Sequence, residues 1–296
     1  MTVQHQSTTA LNVFDRSTVR RRRDRAAPGL DAHDFLLRAV ADNLAERLTD
    51  VRRRFANVLD IGRRGLEPVL ASHPGIVSVV IVDLGMVAFQ PGQRSFTSPS
   101  VVADEEHLPF ADRCFDLVIS LLSLHSVNDL PGALIQIRRI LRPDGLFLGA
   151  LFGGETLCEL RMALAAAESA EEGGVSPRVA PFLDVRDAGA LLQRAGFALP
   201  VADSDTLTVK YDDAFALMRD LRGMGESNSL SERRRTFSRR ATLFNTAADY
   251  HKRFADREGR VPATFQILTM TAWAPHDSQP RPLARGSANA RLGDAL

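Results

Sequence analysis

Asn57-Val-Leu-Asp-Ile-Gly62 and Val77-Ser-Val-Val-Ile-Val-Asp83 decide the fold. Each is a short, continuous apolar run, as a strand shows when both faces of its sheet are covered, and each ends beside an acidic residue. Between them, Gly65 to Ser72 has the composition of a helix, with Pro68 tolerated only near its start. The rhythm continues through Val101-Val102 into Ala103-Asp104, and then through Cys114-Phe-Asp-Leu-Val-Ile-Ser-Leu-Leu122. A helix over Pro131 to Leu141, a turn at Arg142-Pro-Asp-Gly145 and a last apolar run, Gly145-Leu-Phe-Leu-Gly-Ala-Leu151, complete it. Strands alternating with helices at this spacing predict a doubly wound α/β fold with a mainly parallel sheet.

Upstream, Phe35, Leu36, Val40, Leu44 and Leu48 recur at steps of three and four, which predicts one amphipathic helix over His33 to Arg53. Before it lies Val19-Arg-Arg-Arg-Arg-Asp-Arg25, readable as a solvated helix face or as a nucleic-acid patch. Downstream the rhythm changes. Glu155 to Glu172 is a long helix stopped by Gly173-Gly174, and Asp187 to Ala195 is a helix closed by Gly196. Thr206 to Tyr211 and Thr264 to Thr271 alternate as strands with one covered face, and Asp213 to Arg260 between them is mostly helical. The organisation expected is a loose segment 1–10, a helical arm 11–54, a domain 55–275 with a helical insert at about 212–260, and a disordered tail 276–296.

Composition excludes several functions. Of 296 residues 45% are hydrophobic and 25% charged, ordinary for a globular chain. Thirty-seven basic residues against thirty-six acidic ones leave +1, too little for general binding of nucleic acid. Lysine occurs only at Lys210 and Lys252, so 35 of the 37 basic residues are arginine and lysine-nucleophile chemistry has few places to live. Cys114 and Cys158 are too few for a disulfide framework, and His33, His73 and His107 have no metal spacing, so no metal is expected. With no apolar run near the ~18 residues of a spanning helix and no apolar core in the first ten residues, the expectation is a cytoplasmic protein without a transmembrane segment. Peripheral membrane association stays open.

Taken together, the strand ending Asp60-Ile-Gly62, Asp83, Ala103-Asp-Glu-Glu-His-Leu-Pro-Phe110 before Phe115-Asp116, and Leu141-Arg-Pro-Asp-Gly145 resemble the class I S-adenosylmethionine-dependent methyltransferases. Further motifs narrow this: Leu124-His-Ser-Val-Asn-Asp-Leu-Pro131, Gly153-Gly-Glu-Thr-Leu157, Glu159-Leu-Arg161, Arg194-Ala-Gly-Phe197 and Asp220-Leu-Arg-Gly-Met-Gly-Glu-Ser-Asn228. They are similar to a methyltransferase-like family that includes respiratory complex I assembly factors acting as arginine hydroxylases. More distantly, it includes the malonyl-carrier methyltransferases of biotin synthesis. The resemblance covers about residues 11–275 and implies a Rossmann-like sheet of seven mostly parallel strands with a helical insert before the last.

By that resemblance the cofactor is S-adenosylmethionine, held by Asp60, Gly62, Asp83, Asp104 and Leu124. Gly62 lets the backbone approach a ligand, Asp83 at a strand's carboxyl end can accept from ribose hydroxyls, and Asp104 from an adenine amino group. The alternative is that these aspartates only form turns. His125, Asn128 and Asp129 are the catalytic candidates, because a histidine can move protons and a neighbouring carboxylate can orient it. Equally, Asp129 can cap the helix that follows. Glu155, Arg222, Glu226 and Asn228, in glycine-bearing turns, are the substrate candidates, or else plain surface turns. Many members of the family carry Trp at the position of Ser126.

One departure stands out. Asp60-Ile-Gly-Arg-Arg-Gly-Leu66 keeps Gly62 but has Arg64 and Leu66 where the family repeats glycine, and an arginine beside a sulfonium is electrostatically unfavourable. Three readings follow. The first is a methyltransferase-fold enzyme acting by methyl transfer on a protein substrate. The second is an assembly factor hydroxylating an arginine of a respiratory complex I subunit. The third is a non-catalytic binding module.

Overall fold

The computed structural model describes residues 12–86 and 98–280. One seven-stranded sheet runs in the order β3-β2-β1-β4-β5-β7-β6. Its strands are β1 (Phe55–Ile61), β2 (Ile76–Asp83), β3 (Ser100–Val102), β4 (Phe115–Leu121), β5 (Leu141–Phe152), β6 (Ala198–Tyr211) and β7 (Val261–Trp273). The first five are parallel to one another, and β7 is inserted antiparallel to both β5 and β6. The predicted alternation holds because these runs are buried on both faces: every residue of β4 is buried.

Helices cover both faces. Against one lie α2 (Phe35–Thr49), α3 (Glu67–Ser72), α5 (Cys158–Glu172), α7 (Ala214–Gly223) and α8 (Arg240–Phe254). Against the other lie α4 (Leu130–Ile140) and α6 (Val185–Arg194). The α2 positions read from the sequence, Leu36, Val40, Leu44 and Leu48, are buried, each contributing about 1.5–3 kcal/mol. Phe35 is instead exposed, since it begins the helix on its outer side.

Boundaries shift where backbone geometry intervenes. The turn at 142–145 is absorbed into β5, with Asp144 at φ 61° and a register break against Phe115. Strand β6 starts at Ala198, well before Thr206, because its polar residues alternate outward along a sheet edge. The insert is two helices joined by the irregular stretch 224–239. His276 to Gln279 form a hydrogen-bonded turn, and Gln279 donates to Asp144. Residues 1–10 and most of the expected tail lie outside the described residues. Among the described residues no helix is long and apolar enough to cross a membrane.

The arginine run forms α1 (Arg16–Ala26), capped by Asp15, which accepts from the Thr18 amide at 3.0 Å. It has little apolar surface to bury, only Val19 and Ala26. Backbone pairing of Phe14 with Leu230 and the Asp15 amide donating to the Ser229 carbonyl (2.9 Å) tie its start to the insert. Behind it, the His33 ring lies at 2.8 Å from Asp220 of α7 and presses on Gly223, where a Cβ would meet the ring at 2.2 Å. Gly223→Ala therefore trades a helix-propensity gain of about 1 kcal/mol against an overpacking cost of about 1–3 kcal/mol. The net expected is a destabilisation in urea unfolding, which His33→Ala in the same chain relieves.

Candidate functional site

The carboxyl ends of β1, β2 and β4 meet at one edge, where ligands of doubly wound sheets bind. The loop after β1 turns through Gly62 (φ 100°), Arg63 (φ 35°) and Gly65 (φ 104°). A Cβ on Gly62 would lie 2.5 Å from the Ser123 hydroxyl, so only glycine fits there. Gly65 supplies the second left-handed turn one residue early, and Arg63 carries the strain between them, braced by its Nε donating to Glu67 at 3.1 Å.

The acids expected to hold a ligand are all at this edge, but arginines already face them. Asp104 accepts from Arg16 at 2.8 Å. Its neighbour Glu105, with a fully buried side chain, pairs with Arg16 and with Arg23 (3.1 Å) and accepts from the Ser123 hydroxyl (2.7 Å). Burial pushes the Glu105 carboxyl up, yet Arg23 and Arg16 outweigh it and hold it below its ordinary value. Arg23 also donates to the Ser123 carbonyl and to Ser126 Oγ, each at 3.2 Å, filling the room that a small residue leaves at Ser126.

Asp60 and Asp83 are buried differently. Neither Asp60 oxygen has a hydrogen-bond partner among the described residues, and burial, with Glu67 and Asp83 adding, pushes its carboxyl far up. Asp83 accepts from the Gly85 amide at 2.5 Å and is pushed up to about 6, by burial against the pull of Arg23. Leu124 is buried in the apolar layer under α4. The space left between Gly62, Asp83, Arg23 and Arg64 is about 30 Å³, room for a water.

Beside this closed cleft lies an open cavity of about 770 Å³ between α1, α5 and the insert. His125, Glu226, Arg222 and Asn228 all line it. The Arg64 guanidinium reaches in behind them, donating to Glu226 Oε1 at 2.6 Å, while His125 Nε2 lies 3.0 Å from Glu226 Oε2. Burial raises the Glu226 carboxyl, but Arg64 and His125 overcome it and hold it down to about 2. Burial holds the His125 imidazole below its ordinary value, with Arg23 and Arg64 adding and Glu226 opposing. An ionised Glu226 can only accept, so the neutral ring places its proton on Nε2 and leaves Nδ1 a free acceptor with no partner among the described residues. Phe152 (4.7 Å) and Phe182 (5.8 Å) pack on the ring and keep water from it.

Three candidates sit elsewhere. Asp129 is exposed and caps α4, accepting from the Gly132 amide at 2.8 Å. Asn128 clamps the arm, accepting from the Phe14 amide (2.8 Å) and donating to its carbonyl (3.1 Å). Glu155 is exposed, with its amide bound to Gln266. Glu105, Arg16, Arg23 and Arg64 were not among the candidates. Glu105 is one of three consecutive acids, and which of them turns inward depends on a loop whose geometry no periodicity encodes.

Sheet order and strand-edge site together define a methyltransferase-fold protein, and residues 59–149 match the methyltransferase domain model. Two crystal structures share the fold. A Bacillus halodurans protein assigned to the methyltransferases has TM-score 0.54 and 18% identity, covering 79% of this chain and 100% of the other. The YcgJ protein of Bacillus subtilis also has TM-score 0.54, at 15% identity over 79% of this chain and 98% of its own. The sequence relatives are nearer. The mitochondrial arginine-hydroxylase NDUFAF5 of Danio rerio is 44% identical over 96% of this chain and 89% of its own length. A malonyl-[acyl-carrier protein] O-methyltransferase of Xylella fastidiosa is 34% identical over 89% of each chain. This chain belongs to the family that contains both.

Two outcomes are expected from the charges at the cleft. Removing one partner from a buried ion pair leaves the other uncompensated, so Glu105→Ala should cost about 3–5 kcal/mol in urea unfolding and open α1 to proteolysis. Asp83 carries its proton up to about pH 6 when folded, against 3.8 ordinarily. A raised carboxyl destabilises the fold above pH 6, and the penalty fades as pH falls through 6 towards 4. Asp83→Asn should accordingly be more stable than wild type at pH 8, with the gain vanishing near pH 4, as read by thermal unfolding across that range.

Proposed function

We propose that this chain is an arginine hydroxylase of respiratory complex I assembly, acting on a guanidinium presented by a polypeptide subunit. The observation that carries the proposal is the seat of Arg64. A half-buried, ionised carboxylate, Glu226, already holds a guanidinium at 2.6 Å beside a histidine, on the wall of a cavity large enough for a peptide segment. A substrate arginine needs that same charge-assisted contact. Glu226 would bind and orient the guanidinium, the neutral His125 would hold or move a proton at Nδ1, and Phe152 and Phe182 would exclude water. The 44% identity with NDUFAF5 over nearly the whole chain, against 34–37% with malonyl-carrier methyltransferases, points the same way.

Methyl transfer, the first expectation, has less support from this site. The acceptor set Asp60, Asp83 and Asp104 is present, but among the described residues arginines of this chain already face it. Among the described residues about 30 Å³ is free between Gly62, Asp83, Arg23 and Arg64, two guanidiniums there oppose a sulfonium's charge, and Arg16 occupies Asp104. Hydroxylation exchanges a C–H bond for C–O–H. With dioxygen as oxidant it consumes two electrons and two protons and releases water, so a reductant must be supplied from outside the residues described. A complex I subunit as partner belongs to this proposal through the family resemblance, and a cytoplasmic site of action and peripheral membrane contact are carried with it from the sequence. The division into arm, domain and insert belongs to it too, since the cavity forms where α1 and the insert meet.

The test is mass spectrometry of complex I subunits from cells with and without this chain. One arginine should gain the mass of an oxygen atom, and Glu226→Gln should abolish the gain. A gain of one methylene in its place would restore the methyltransferase reading, and no gain on any subunit would leave the binding-module reading.

A further inference from the structure

The same cavity carries a charge imbalance that a guanidinium substrate alone does not explain. Among the described residues seven arginines line it, and the single acid there, Glu226, is already paired. Three of the seven are committed to acids: Arg178 to Glu168, Arg233 to Asp15 and Arg234 to Glu172. The other four, Arg21, Arg22, Arg222 and Arg235, make no ion pair with a described carboxylate. Among the described residues Arg21 donates only to the Thr18 hydroxyl.

Arg22 is the most telling. Its Nη1 is buried and has no hydrogen-bond partner among the described residues, while Arg233, Arg25 and Arg21 crowd it with like charge. The nearest opposing group, Asp15, is taken up by Ser17, Thr18 and Arg233. A buried, unpartnered guanidinium nitrogen costs free energy unless a ligand satisfies it. Beneath the arginines the floor is apolar, formed by Leu157, Leu160, Leu164, Met218 and Leu221.

We propose that the free arginines of this cavity bind carboxylate side chains that flank the modified arginine, so that the preferred substrate is an arginine set among acidic residues. The inference rests on the arginine-modifying reading for the central residue and on the cavity's own charge for the flanks. Glu226 takes the one cation, Arg22 and Arg222 take the anions, and the apolar floor takes the residues between them. A bare arginine segment with basic flanks would be repelled by the wall before it reached Glu226.

Fluorescence anisotropy with three labelled synthetic peptides tests this on the full chain. One has arginine flanked by aspartates, one has asparagines in place of those aspartates, and one keeps the aspartates but has alanine for the arginine. The asparagine peptide should bind ~10-fold or more weakly than the aspartate peptide, as the loss of charge-assisted bonds requires, and added salt should narrow the difference. Arg222→Ala, on the exposed rim, and Arg22→Gln should each weaken the aspartate peptide and leave the asparagine peptide unchanged. If the Arg22 variant unfolds, Arg222→Ala still decides the matter. Equal binding of the aspartate and asparagine peptides, or discrimination of undiminished size in Arg222→Ala, overturns the inference. Equal binding of the arginine and alanine peptides overturns the guanidinium seat on Glu226 while the acidic preference stands.

Discussion

The buried carboxylate of Glu105 is the constraint on which this site depends. It sits at the carboxyl edge of the sheet with no access to water, and a charge in that position survives only if opposite charges meet it. Arg16 and Arg23 do so, and both come from α1, a helix with too little apolar surface to dock by itself. The pairing thus works in both directions. It neutralises the strand edge, and it brings the N-terminal arm down over the cleft, where Asn128 and the Phe14–Leu230 pairing hold its start.

Closing the arm reshapes everything beside it. With Arg23 and Arg64 lodged near Gly62, the space left beside it among the described residues is that of a water, while the large cavity lies between α1, α5 and the insert. Arg64 connects the two, since it leaves the strained loop after β1 and ends on Glu226 beside His125. Asp60 remains a buried acid on the cleft side with neither oxygen hydrogen-bonded among the described residues, and Asp83 accepts from the Gly85 amide. The fold thereby keeps the acidic positions of a methyltransferase, and the arginines of this chain pair with acids both at the strand edge and at the cavity wall.

Much of this was legible before any coordinates. Periodicity placed α2 and the parallel strands, because a pattern of three and four or an unbroken apolar run follows directly from which faces are buried. Of the site candidates, His125, Arg222, Glu226 and Asn228 converge on one cavity although they come from a turn after β4 and a distant insert. Asp129 turned out to be a helix cap, the alternative that local chemistry had offered from the start. The arginine run between Val19 and Arg25 read as a solvated face, and Arg20 and Arg21 are indeed exposed, but Arg23 is buried.

Local sequence therefore determined the strands, most helices, the turn residues and the presence of acids at the strand ends, since each depends on neighbours a few positions away. Tertiary structure alone decided which member of Asp104-Glu105-Glu106 faces inward, which arginine of α1 meets it, and where Arg64 ends. The reason is range. Arg23 is 82 positions from Glu105, and Arg64 is 162 from Glu226. Ion pairs at such separations are set by how helices and loops pack over the sheet, and identical arginines in one run acquire different roles only when the chain has folded.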